Sequence, residues 1–123
     1  MLVVAVVEDN ADNRLLLQAI LDGLYEVHEY ETAEAALAAF ERAAPDLVLL
    51  DISLPGMSGV ELVARLRADE GLRHVPVIAL TAHAMAGDRE TYLAAGFDAY
   101  VTKPIVDEGV LLRTLERLAP GAR

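Results

Sequence analysis

Asp46-Leu47-Val48-Leu49-Leu50-Asp51, residues 46–51, sets four consecutive aliphatic side chains between two acids. A strand with one wet face alternates apolar and polar residues, whereas a run that is apolar at every position suits a strand covered on both faces. Similar runs stand at Leu2–Val7 and Pro76–Thr81, and shorter candidate strands at Glu26–Tyr30 and Ala99–Thr102. Glu26–Tyr30 mixes polar and apolar residues, as an edge strand does. Amphipathic stretches separate the five. Leu17, Ile20, Leu21 and Leu24 share a helical face in the first, and Ala33, Ala36, Leu37 and Phe40 in the second. Gly59, Leu62, Val63 and Leu66 do so in the third, and Leu111, Leu115 and Leu118 in the last. The fourth, roughly residues 86–95, is the least amphipathic. Ala44-Pro45-Asp46 ends the second helix, Val75-Pro76 opens the fourth strand, and Gly23, Gly71 and Gly96 stand where helices stop. This β-α alternation predicts an α/β fold, a doubly wound parallel sheet with helices on both faces.

The chain of 123 residues, 54% of them hydrophobic, has the size and apolar content of one domain. No apolar run reaches the roughly 18 to 20 residues of a membrane-spanning helix, so no membrane insertion is expected. The apolar start has no basic segment before it and runs directly into Glu8-Asp9, which reads as a buried first strand rather than a secretion signal. There is no cysteine, hence no disulfide framework and no thiolate chemistry, in keeping with a cytoplasmic location. A net charge of −10 opposes direct binding to nucleic acid.

Ligands of an open parallel sheet bind outside the carboxyl ends of its strands. Here strand 1 ends in Glu8-Asp9, strand 3 in Asp51, strand 4 in Thr81 and strand 5 in Lys103-Pro104. Taken singly these are ordinary residues: Asp9 or Asn10 can be no more than a helix cap, and a Thr or Lys at a loop is commonly solvated. Together they differ, because three carboxylates on one rim repel one another unless a cation neutralises them, and a hard oxygen site of this kind suits Mg²⁺. Asp51, rigidly placed at the end of the most apolar strand, is the candidate nucleophile. A carboxylate accepts a phosphoryl group when a metal and a cation offset the charge on the transferring oxygens. Mg²⁺, Lys103 and the Thr81 hydroxyl are the expected stabilisers.

The stretches Val6-Val7-Glu8-Asp9-Asn10, Leu49 to Gly59 (LLDISLPGMSG), Ala79-Leu80-Thr81-Ala82 and Tyr100-Val101-Thr102-Lys103-Pro104 resemble the receiver domains of response regulators in two-component systems. The resemblance covers essentially the whole chain. It implies a flavodoxin-like five-stranded sheet of order 2-1-3-4-5 with five helices. It also implies an aspartate phosphorylated from the phosphohistidine of a histidine kinase or a phosphotransferase protein, with Mg²⁺ as cofactor. Position by position, Asp51 becomes the acceptor, and Asp9, Asp51 and the backbone carbonyl of Ser53 the direct metal ligands. Glu8 acts through metal-bound water, and Thr81 and Lys103 hold the phosphoryl oxygens. Tyr100, which spacing alone reads as a packing residue, becomes an aromatic switch partnered with Thr81. Lys103-Pro104 is expected to be cis. Ser53 and His83 sit at variable positions of the family and receive no catalytic role of their own.

Residues 1–119 are thus expected to form one receiver domain and 120–123 a short tail, with no output domain. Output then passes by protein contact, to a downstream target on the face of the fourth helix and fifth strand. The region around Glu8–Arg14 and Thr81–Asp88 is also similar to single-domain cell-cycle regulators and to the receivers of hybrid kinases. Such a module catalyses only its own phosphorylation and dephosphorylation. Two other readings have less support. An aspartate-nucleophile, Mg²⁺-dependent phosphohydrolase needs a second Asp where Ser53 stands, and a phosphorylation-independent interaction module would be marked by loss of an acidic residue or of Lys103.

Overall fold

The computed structural model describes residues 1–82 and 88–120. His83, residues 86–87 at the expected start of the fourth helix, and residues 121–123 of the tail lie outside the described residues. The described residues form β1 (Val3–Val7), α1 (Ala11–Leu21), β2 (Glu26–Tyr30), α2 (Ala33–Arg42) and β3 (Leu47–Asp51). They continue with α3 (Gly59–Ala68), β4 (Val77–Thr81), α4 (Asp88–Ala95), β5 (Ala99–Thr102) and α5 (Glu108–Leu118). All pairings are parallel, and the order β2-β1-β3-β4-β5 is the flavodoxin-like arrangement that the sequence resemblance implied.

The three central strands sort their side chains by parity, as a pleated strand must. Val4, Val6, Leu47, Leu49, Ile78 and Leu80 pack with Leu17, Ile20 and Leu21 of α1 and Leu111 and Leu115 of α5. Ala5, Val7, Val48, Leu50, Val77 and Ala79 meet Ala33, Ala36 and Phe40 of α2 and Leu62, Val63 and Leu66 of α3 on the opposite face. The apolar-throughout pattern of 47–50 is therefore the mark of a strand buried on both sides, and truncating one such leucine to alanine costs about 2–5 kcal/mol. β2 is an outer strand whose Glu26, His28 and Glu29 are exposed.

Two expectations shift by local causes. Strands 1, 3 and 4 each begin one residue later than the apolar runs. Asp46, ahead of β3, donates its amide to the Val3 carbonyl while its carboxylate accepts the Val3 amide at 2.7 Å, which replaces a ladder step by a side chain. Pro76 has no N–H to give and joins the sheet only through its carbonyl, which accepts from Val48. Leu24 is not on the buried face of α1, which stops at Leu21; Gly23, at φ +78, turns the chain and leaves Leu24 54% exposed. No residue of α4 is buried, and no described helix is long and apolar enough to cross a membrane.

Candidate functional site

Among the described residues, the buried polar side chains are Glu8, Asp51 and Thr81, exposed by 0%, 3% and 3%. Burying such groups is costly without partners, so three of them at one end of a sheet require an explanation. They follow or end β1, β3 and β4 at the carboxyl rim. The strand ladder continues into this rim: the Glu8 amide donates to Tyr30, that of Ile52 to Leu80, and that of Lys103 to the Thr81 carbonyl. These bonds give the site a rigid floor.

Glu8 is held from several sides. One oxygen accepts from the Asn10 amide at 3.1 Å, and the other from the Asn13 side-chain amide at 3.2 Å and from Lys103 Nζ at 3.1 Å. Its carbonyl receives Arg14 Nη1 at 2.8 Å. Asn10 also caps α1 by accepting from the Asn13 amide, so the cap expected from sequence is present beside the acidic cluster. Asp51 is fixed at both oxygens: Oδ1 accepts the Ser53 amide at 3.0 Å, and Oδ2 faces Lys103 Nζ at 3.1 Å. Lys103 therefore bridges the two buried carboxylates. The Lys103-Pro104 peptide that follows β5 is cis.

The electrostatics follow from this enclosure. Burial pushes the Glu8 carboxyl above its usual value; the Asn10 amide and Lys103 oppose this without cancelling it, and the Asp51 charge adds to the rise. Burial would lower Lys103, but hydrogen bonds and charge from Asp51 and Glu8 outweigh it and hold its ammonium above the ordinary range. Exposed Asp9 completes the acidic group: one carboxylate oxygen each from Glu8, Asp9 and Asp51 lies within 4.8 Å of the others, a set able to hold a metal ion.

Two glycines shape the loop after Asp51. A Cβ on Gly59 would stand 2.4 Å from the Asp51 carbonyl oxygen, so only glycine lets α3 start this close to the backbone of Asp51. Gly56, at φ +71, turns the loop toward Glu34, whose carboxylate accepts the Met57 amide at 3.1 Å.

Glu8, Asp9, Asp51 and Lys103 are thus gathered, with the Ser53 amide on Asp51. Thr81 Oγ1 is directed elsewhere, to the Tyr92 hydroxyl of α4 at 3.0 Å. Tyr100 is half-buried, and its ring lies 5.9 Å from that of Tyr92. Sequence reasoning passed over Asn13, Glu34 and Tyr92. Asn13 sits in the first turn of α1, five residues from Glu8, and proximity alone could have marked it; Glu34 and Tyr92 reach the rim through tertiary packing and leave no local signal.

Comparisons with known proteins agree with this geometry. Residues 4–116 match the response regulator receiver domain family. The polar-differentiation response regulator DivK of Brucella ovis is 44% identical over 103 residues, 83% of this chain and 84% of that protein. The chemotaxis protein CheY4 of Vibrio cholerae superposes with a TM-score of 0.87 at 28% identity, covering 96% of this chain and 98% of that one. The receiver domain of a sensor histidine kinase from Pseudomonas aeruginosa, with a magnesium ion coordinated in its active site cleft, gives 0.85 at 38% identity over 95% and 96% of the two chains. On its strand order, its acidic cluster and these relatives, the chain belongs to the response regulator receiver domain family, the phosphoacceptor modules of two-component signalling.

Proposed function

We propose that Asp51 is the phosphoacceptor and that Glu8, Asp9, Asp51 and the Ser53 carbonyl hold Mg²⁺, Glu8 through water. The observation that carries this reading is the burial of Glu8, Asp51 and Thr81 at one rim, with Lys103 bridging the two acids. The donor set fits the metal: all ligands are hard oxygens, and one oxygen from each of the three carboxylates lies within 4.8 Å of the others. When bound, the metal neutralises the carboxylates and the charge on the transferring phosphoryl oxygens.

The chain's own groups do the rest. The Ser53 amide fixes Asp51 Oδ1 and leaves Oδ2, on the Lys103 side, to attack phosphorus. The O–P bond forms as the P–N bond to the donor imidazole breaks, and the imidazole keeps the electron pair. Lys103 moves its hydrogen bond from Oδ2 to a phosphoryl oxygen, and its raised pKa keeps it charged for that task. Thr81 then donates its hydroxyl to another phosphoryl oxygen, a contact that exists only after modification and so biases a two-state equilibrium. Tyr100 turns inward in response, and the face of α4 and β5 changes its contact with a downstream protein.

Residues 1–119 act on this reading as one receiver unit in the cytoplasm, taking the phosphoryl group from a histidine kinase or a phosphotransferase protein. Incubation with a small phosphodonor and Mg²⁺ adds one phosphoryl group labile to base and hydroxylamine, and Asp51→Asn abolishes it. Labelling that persists in Asp51→Asn, or that sits stably on Ser or Thr, refutes the acceptor assignment.

A further inference from the structure

A threonine hydroxyl has one proton to donate, and a phosphoryl oxygen can only accept. Thr81 must therefore aim that single proton at Asp51 once the latter is modified. In the structure its oxygen is instead 3.0 Å from the hydroxyl of Tyr92, on the α4 side. Tyr92 is not free to follow Thr81, because its ring stands edge-on to Phe97 at 6.2 Å and tilted against Tyr100 at 5.9 Å. Phe97 is buried in the core beneath, so the Tyr92 ring rests against it while its hydroxyl reaches for the rim.

We propose that Tyr92 is a positioning residue for Thr81: its hydroxyl holds Thr81 in the resting geometry and ties the threonine's departure to movement of the Tyr92–Tyr100 ring pair. This rests on the reading of Asp51 as acceptor and Thr81 as phosphoryl contact. With Thr81 as the donor to Tyr92, phosphorylation exchanges that bond for one to phosphate, which raises the threshold for switching. The same bond is the link by which α4 senses the exchange.

The test is calorimetric titration with beryllofluoride and Mg²⁺, read alongside NMR, on the full chain. Tyr92→Phe keeps the ring and its packing and loses only the hydroxyl. It is expected to tighten beryllofluoride binding about three- to tenfold, the net worth of one hydrogen bond. It is also expected to shrink the chemical-shift response of Tyr100 while that of Asp51 and Lys103 persists. In a Thr81→Ala background Tyr92→Phe changes nothing, and in Thr81→Ser, which restores a hydroxyl, the gain returns. Unchanged or weaker binding by Tyr92→Phe, or the same gain without a hydroxyl at position 81, overturns the proposal and leaves Asp51 as acceptor. A wild type that binds no beryllofluoride, or an Asp51→Asn variant that binds it as well as the wild type does, overturns the acceptor reading and this one with it.

Discussion

The β1–β3 side of the rim and the β4–β5 side are built to different standards of rigidity. On the first, Glu8 and Asp51 have every carboxylate oxygen engaged, and the helices that flank them are capped by Asn10 and Ser58 and anchored by Leu17, Ile20 and Leu21 or by Leu62, Val63 and Leu66. On the second, α4 buries no residue and rests on α3 and β5, and Tyr100 is only half-buried. Group transfer needs atoms fixed to within fractions of an ångström, while a signal needs a part able to adopt two arrangements at similar free energy. On the proposed reading, one small sheet meets both needs by dividing them between neighbouring strands.

The largest effect that would sharpen this division is all-or-none. Thr81→Ala should leave Asp51 able to bind beryllofluoride while abolishing the NMR shifts of α4 and β5 that the wild type shows. Shifts on α4 that survive the substitution would break the separation. Next comes the metal. At Mg²⁺ a hundredfold above its dissociation constant, the fold should gain about 2.7 kcal/mol, seen as a rise in melting temperature that Asp9→Asn removes. This gain depends on pH in a defined direction. With its carboxyl raised by burial, Glu8 adds stability to the metal-free fold below its unfolded pKa and loses that contribution as pH rises through its folded value. Metal binding needs the ionised form, so it is favoured as pH rises through the same range. Melting curves with and without Mg²⁺ should therefore converge on acidification, and curves that stay parallel from neutral pH down to pH 4 would count against Glu8 as part of the site.

Smaller still is Gly59→Ala. Its methyl would meet the Asp51 carbonyl oxygen at 2.4 Å, and overpacking of this kind costs about 1–3 kcal/mol, measurable as a lower urea midpoint. A neutral result would show that α3 does not press on the end of β3. The smallest effect is expected on the loose side: Leu93→Ala in α4, at a side chain 40% exposed, should change stability by no more than about 0.5 kcal/mol. A loss comparable to Gly59→Ala would mean that α4 is as firmly seated as α3.

The same division governs what could be read from the sequence. The central strands were legible because burial on both faces makes every position of 47–50 apolar, and parallel strand ends place Glu8, Asp51, Thr81 and Lys103 together whatever the loops do. Strand starts were less so, since the Asp46 carboxylate takes over a backbone role that composition does not reveal. Leu24 was misplaced because helical periodicity continues in the sequence past the glycine turn that ends α1. Tyr92 stayed hidden for a deeper reason. An α4 that buries nothing has little amphipathic pattern to read, and the value of that tyrosine lies in a hydroxyl contact across 11 residues of chain.

The outer strand β2 has a consequence for life in a crowded solution. An open sheet ends in a row of unsatisfied amides and carbonyls, an invitation for another chain to add itself strand by strand. Here that border carries Glu26, His28 and Glu29, the first two paired at 2.6 Å, with Arg14 reaching Glu29 and Glu31. An approaching copy would have to strip water from these charges and face its own like-charged border. Electrostatic fencing of this kind discourages sheet-to-sheet polymerisation at the β2 edge.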